Sequence, residues 1–239
     1  MNNTLNKLYY LSLGENCLAD DILKRYGLKS FSTPYSPART NIEYAIFNEK
    51  NGYQNLLSES KLKRCHRYGQ EMIVNEDYPQ PLNIYDKSVS SGFEFTHHNI
   101  LQDNKAMESF VRKVERMKQL KNQQVCFLYH YRYSSKNSID DLILKGNEFL
   151  GYYPKAKLCI MTQKICKSKD ERILNIQHPA KNITVFEFVT MNVWGGDDQN
   201  IFWARCDDDL ISEMISHLQN IFQEPNLINR IKHWLFSRN

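Results

Sequence analysis

The chain lacks any run of about 18 apolar residues, so no membrane-crossing helix is expected. Its opening, MNNTLNKLYYLSLGENC, has no charged segment leading into a long apolar one with a small-residue cleavage site, and no signal peptide is expected. None of the six cysteines (Cys17, Cys65, Cys126, Cys159, Cys166, Cys206) forms a CxxC pair, which removes zinc-knuckle and thioredoxin-type readings. Walker-lysine, GxGxxG, HExxH and GxSxG motifs are missing, so nucleotide-phosphate and zinc-protease chemistry have no support. Charge of one sign is also scarce. Lys and Arg number 31 against 27 Asp and Glu, and the net +4 is too small to argue for nucleic acid. The only dense basic stretch, KLKRCHR (61–67), reads as solvated surface or as a contact for phosphate or an anionic glycan.

What remains is an ordinary globular composition, 239 residues with 41% hydrophobic and 24% charged, long enough for a substantial core. One α/β domain over 1–239 is expected, with an irregular insertion around 58–92. Cys126 and Cys159 sit in apolar, strand-like runs and read as buried thiols, in keeping with a reducing cytoplasm.

Short apolar runs at 7–14, 124–132, 157–162 and 183–189 read as strands, and FEFTHHNIL (93–101) as a strand that then breaks. Between them, 17–28, 41–57, 103–122, 138–153 and 207–222 carry helical spacing, and 226–237 reads as a final amphipathic helix. In the helix over 103–122, Asp103 suits the cap, and Met107, Phe110, Val111, Val114 and Met117 share a face. The alternation predicts an α/β three-layer sandwich with a largely parallel sheet. Sites in such sheets gather beyond the carboxyl ends of the strands. Gly14, Glu15, Asn16 and Cys17 fall there after the first strand, and His130 and Arg132 after the second clear one.

A cysteine at a helix start meets unpaired N–H groups and the positive end of the dipole, which favour thiolate. Cys17 is therefore a candidate nucleophile with a lowered pKa, although a small core residue at a tight turn fits the same position. Asn16 can supply an amide donor to an oxyanion. A nucleophilic thiol needs a base. His97, His98, His130 and His178 are the candidates, and His97 or His98 in THHN suits best. In NVWGGDDQNIFW (192–203), Asp197 or Asp198 can orient a histidine, while Trp194 and Gly195 suit sugar binding beside carboxylates.

Several segments together resemble the papain-like cysteine peptidase family of bacterial proteins. They are SLGENC, the helix and Gly-Leu-Lys turn of LADDILKRYGLKSFSTPYS with Ser32, Pro34 and Tyr35, the Phe95-Thr96-His97-His98-Asn99 run, CFLYHYR, and Trp194-Gly195-Gly196-Asp197-Asp198. Pro34-Tyr35-Ser36-Pro37 stands where that family shows Pro-Phe-Asp-Trp. The Gly-x-Asn-Cys turn is also similar to the nucleophile turn of SGNH-type hydrolases and to capsule-polysaccharide acyltransferases that use coenzyme A.

The resemblance implies acyl transfer through Cys17 with His98 or His97 as base, Asp197 or Asp198 orienting it and Asn16 at the oxyanion. Gly14, Glu15, Ser32, Tyr35, His130, Arg132, Trp194 and Gly195 are then expected around the substrate. The acceptor stays open: a peptidase or hydrolase, or an acyltransferase or esterase acting on cell-surface polysaccharide with coenzyme A or acetyl-coenzyme A. A third reading is a non-catalytic protein that binds a glycan or nucleotide-sugar, in which Cys17 only packs. It predicts no imidazole within about 4 Å of the Cys17 sulfur, whereas catalysis requires near hydrogen-bond reach.

Overall fold

The computed structural model describes residues 7–36, 38–67, 69–75, 92–132, 138–195 and 202–223. In chain order the elements are β1 (Leu8–Gly14), α1 (Leu18–Arg25), α2 (Ile42–Lys50), β2 (Leu62–Arg67), β3 (Gln70–Asn75), β4 (Phe93–Phe95), α3 (Asn104–Gln119), β5 (Gln124–His130), α4 (Ile139–Leu150), β6 (Lys157–Ile165), β7 (Ile173–Ala180), β8 (Ile183–Thr190) and α5 (Asp208–Gln219). The main sheet has the order β1-β5-β6-β8-β7. All its pairings are parallel except that of the edge strand β7, which runs antiparallel to β8. Helices cover both faces, so this is a mixed α/β fold with three layers and a mostly parallel sheet.

The strands read as nearly unbroken apolar runs because both of their faces are buried. Side chains alternate across the pleat. Val125, Phe127 and Tyr129 join one core with Ile42 and Tyr44 of α2, Phe110 and Met117 of α3, and Leu142 and Phe149 of α4. Cys126 and Leu128 join the other, with Leu18 and Ile22 of α1 and Ile211 and Met214 of α5. Cys126 and Cys159 are buried free thiols with sulfurs 3.7 Å apart, as their apolar settings imply.

Three helix starts carry side-chain caps, of which Asp103 was expected. Asn41 accepts from the Tyr44 amide, Asp103 from Lys105 and Ala106, and Ser138 from Asp141.

Several readings need correction or completion. Within the insertion expected around 58–92, the stretch 62–75 forms strands: β2 and β3 pair antiparallel, and β4 joins them in a second, three-stranded sheet. The strand before THHN thus belongs to this small sheet, not the main one. β7 escaped the pattern because half of it faces solvent. Pro179, which cannot donate to a ladder, is tolerated on this edge strand beside an irregular register. On α3 the buried face is Ala106, Phe110, Lys113, Val114 and Met117, while Val111 is 46% exposed. The expected final helix, 226–237, lies outside the described residues, as do 76–91 of the insertion. No described helix is long and apolar enough to cross a membrane.

Candidate active site

The site begins where β1 ends. Gly14 adopts φ +118°, which strains any L side chain, and a Cβ there would stand a tight 3.2 Å from the Thr40 methyl. Gly14 therefore shapes the turn and gives no side-chain contact to a substrate. Glu15 follows and turns inward. It is 1% exposed, and its Oε2 accepts from the Arg132 backbone amide at 3.1 Å and from Arg132 Nε at 2.9 Å. This pair ties the turn after β1 to the chain after β5. Glu15 and Arg132, expected at the substrate, pair with each other and tie the scaffold together here.

Asn16 comes next, and its orientation follows from donor chemistry. Its Oδ1 lies 3.1 Å from the Leu18 amide, which can only donate. The same oxygen lies 3.2 Å from His130 Nδ1, so that nitrogen carries the proton. With Oδ1 engaged twice, the Nδ2 amide is the donor left for another oxygen. His130 is 3% exposed. Burial, with Arg132 adding, pushes its pKa down to about 3, so it is a neutral, buried orienter of Asn16.

Cys17 is the N-cap of α1, half-buried, and its side chain makes no cap hydrogen bond. The expected low pKa is overturned. Burial, reinforced by Asp20 and Asp21 in the first helical turn, pushes the thiol up to about 11 against the opposing pull of Arg39 and Lys29. The helix start alone does not hold a thiolate here.

An exposed imidazole meets this thiol. His97 Nε2 lies 3.5 Å from Cys17 Sγ, although the two residues follow strands of different sheets. Their approach is enforced by backbone pairing. The Thr40 amide donates to Glu15 O at 3.2 Å, and Arg39 exchanges backbone hydrogen bonds with Glu94 at 3.1 and 2.9 Å. The strand end bearing Cys17 is thus stitched through 39–40 to β4, two residues before His97. Beside His97 opens a cavity of about 370 Å³, walled by Gln70 and Glu71 of β3, Phe95 and the residues Thr96, His98 and Asn99. Residues 8–149 match the family described as "Putative papain-like cysteine peptidase (DUF1796)". The chain belongs to this family. No curated protein and no solved structure matches it. The stretch that matches this papain-like cysteine peptidase family contains both Cys17 and His97.

Other candidates take other roles. His98 lines the same cavity and packs edge-on to Phe110, with ring centroids 5.6 Å apart. Burial holds it below its ordinary value, with Lys113 and His97 adding. Tyr35 is fully buried, donating to the Tyr53 hydroxyl at 3.2 Å in a cluster built around Glu49, and is a core residue. Ser32 is half-buried and makes no side-chain hydrogen bond among the described residues. Trp194 is 6% exposed, and its indole donates to Asp207 Oδ2 at 2.8 Å while Arg172 grips the same carboxylate. It packs against Phe188 and His130, so it supports the site's floor and offers no open face to a sugar. Gly195 is half-buried beside it. Asp197 and Asp198 lie outside the described residues. Among the described residues nothing hydrogen-bonds His97 Nδ1, and no cluster of potential metal ligands is present.

Glu15 gives a stability prediction. Burial raises its pKa from an ordinary 4.5 to about 7, with Arg132 pulling the other way. A carboxyl whose folded pKa is raised contributes stability that is full below 4.5 and lost as pH climbs through about 7. Glu15→Gln has no such proton to lose. Relative to this variant, the wild-type protein is expected to lose roughly 3 kcal/mol between pH 4.5 and pH 8. Urea unfolding of both proteins across that range measures it, and parallel curves would refute it.

Proposed function

We propose that the protein is a cysteine hydrolase whose nucleophile is Cys17 and whose general base is His97. The observation that carries this is the 3.5 Å approach of Cys17 Sγ and His97 Nε2 at the carboxyl end of the main sheet. Because the resting thiol is neutral, His97 accepts its proton as attack begins. The Sγ–C bond forms while the carbonyl electrons move onto oxygen. Asn16 Nδ2 and the backbone amides at the start of α1 are the donors that meet that oxyanion. Collapse expels the leaving group, which takes the proton from His97, and leaves a thioester on Cys17. Water then attacks with His97 again as base, and the thiol is restored. The family points to a peptide carbonyl as the natural acyl donor.

The test uses p-nitrophenyl acetate, with intact-mass and peptide analysis to locate the acetyl group. Acetylation of Cys17, absent in Cys17→Ala, supports the reading. Acetylation only elsewhere, or full turnover by Cys17→Ala, overturns it. Alkylation by iodoacetamide adds a pH signature. With the thiol pushed up to about 11, the Cys17→Ala-sensitive rate is expected to keep rising beyond pH 9. A preformed thiolate would give a plateau from mildly acidic pH. Digestion of casein in parallel separates a peptidase from an enzyme confined to ester donors.

A further inference from the structure

We propose that the protein holds a second site, remote from Cys17, which binds phosphate, free or carried as a monoester on a small molecule. A cavity of about 210 Å³ opens between the amino ends of β6 and β8, the β7–β8 turn and the last turn of α5. Four basic side chains line it: Lys157 at the start of β6, His178 and Lys181 in the β7–β8 hairpin, and His217 of α5. None of its lining residues is acidic, and among the described residues none of the four pairs with a carboxylate. Basic groups gathered in a cleft without a counter-charge attract an anion. The dipole of α5 favours a cation at His217, in its last turn, but does not account for His178 and Lys181.

The donors left over outnumber the oxygens of a carboxylate. Lys157 Nζ is anchored, donating to Ile221 O and standing 5.3 Å from the centre of the Phe222 ring, and two of its three N–H groups remain. His178 Nδ1 lies 3.2 Å from Thr184 Oγ1. Whichever of the two donates, a proton is spare: on His178 Nε2 if Nδ1 accepts, on the Thr184 hydroxyl if Nδ1 donates. Asn220 Nδ2 donates to Ser216 O at 2.9 Å and keeps a second N–H. A phosphate group presents three strong acceptor oxygens, and lysine ammoniums meet it as point charges. A carboxylate is more often met by the fork of an arginine, and no arginine lines this cavity.

Size and place narrow the ligand. The volume falls below the roughly 300–1,000 Å³ of cavities that enclose drug-sized molecules. It suits a phosphoryl group with a small substituent against Ile176 and Phe186. The site is separate from the reaction. Lys157 is in register with Cys126 and, through it, with Tyr10 in the first half of β1, whereas Cys17 follows the far end of that strand. The cavity therefore sits at one end of the main sheet and Cys17 at the other. All its lining residues also come after residue 149, where the family match ends. The phosphate site thus does not depend on Cys17 being a nucleophile.

Titration of the full chain, labelled with nitrogen-15 and followed by its amide NMR shifts, tests this. Inorganic phosphate, phenyl phosphate and benzoate are each added at pH 7, with KCl holding the ionic strength constant. Both phosphates are expected to give saturable shifts centred on residues 176–186 and 217–221. Tighter binding of phenyl phosphate supports a monoester as the ligand, and equal binding supports free phosphate. Lys181→Gln combined with His217→Gln, both at exposed positions, is expected to weaken phosphate binding roughly tenfold. The footprint is read on the wild-type protein and does not depend on how the variant folds. Shifts that never saturate, that fall elsewhere, or that the double variant leaves unchanged overturn the site. Benzoate binding as tightly as phenyl phosphate overturns its assignment to phosphate.

Discussion

Replacing His97 with glutamine is expected to slow acetylation of Cys17 by roughly 10² to 10⁴ at neutral pH, the range typical of a positioned general base. Iodoacetamide alkylation is expected to slow with it, because both reactions consume thiolate. The loss should be large here because the thiol, pushed up to about 11, ionises hardly at all unaided. The same reasoning fixes the pH dependence. As pH approaches 11, hydroxide takes over the deprotonation, and the gap between wild type and His97→Gln is expected to narrow. His98→Gln supplies the control. Its ring packs against Phe110 while His97 holds the hydrogen bond to Cys17, so both rates are expected to stay within about threefold of wild type. A His98→Gln loss matching that of His97→Gln would show that the wrong imidazole has been chosen.

That choice was not legible in the sequence. THHN puts two imidazoles side by side, and nothing local distinguishes them. The distinction arises because β4 belongs to a small sheet stitched through Arg39 and Thr40 to the turn after β1, which brings His97 to Cys17 and leaves His98 against α3. The turn that carries Cys17 was readable, since an apolar strand, a glycine at positive φ, and a helix with acidic first turn follow one another without a gap. The parallel sheet was readable for a related reason. Strands buried on both faces leave continuous apolar runs, and those runs alternate with amphipathic helices.

The thiol's ionisation was misjudged on information partly present in the chain. Asp20 and Asp21 follow Cys17 within one turn and oppose the helix dipole, but burial, the larger cause, is a property of the assembled fold. Trp194 misled in the same direction. An aromatic residue near carboxylates reads as a sugar platform until its indole is seen committed to a core partner. Tyr35, expected beside the substrate from the family resemblance, likewise has its hydroxyl committed in the core.

Asn16 allows the oxyanion interaction to be separated from everything else the turn does. Asn16→Ala is expected to slow acetylation by p-nitrophenyl acetate by roughly 10² to 10³, the usual loss for one oxyanion donor. Iodoacetamide reacts at a saturated carbon and builds no oxyanion, so its rate at Cys17 is expected to change by less than about threefold. A variant that merely loosened the turn would move Cys17 away from His97 and slow both reactions alike. His130→Phe refines the argument, because it keeps a buried ring but removes the Nδ1 proton that holds Asn16 Oδ1. The Leu18 amide still anchors that oxygen, so a smaller selective loss, roughly 3- to 30-fold in acetylation alone, is expected. Equal losses in acetylation and alkylation for both variants would assign Asn16 to the scaffold, and the oxyanion would then fall to the backbone amides at the start of α1.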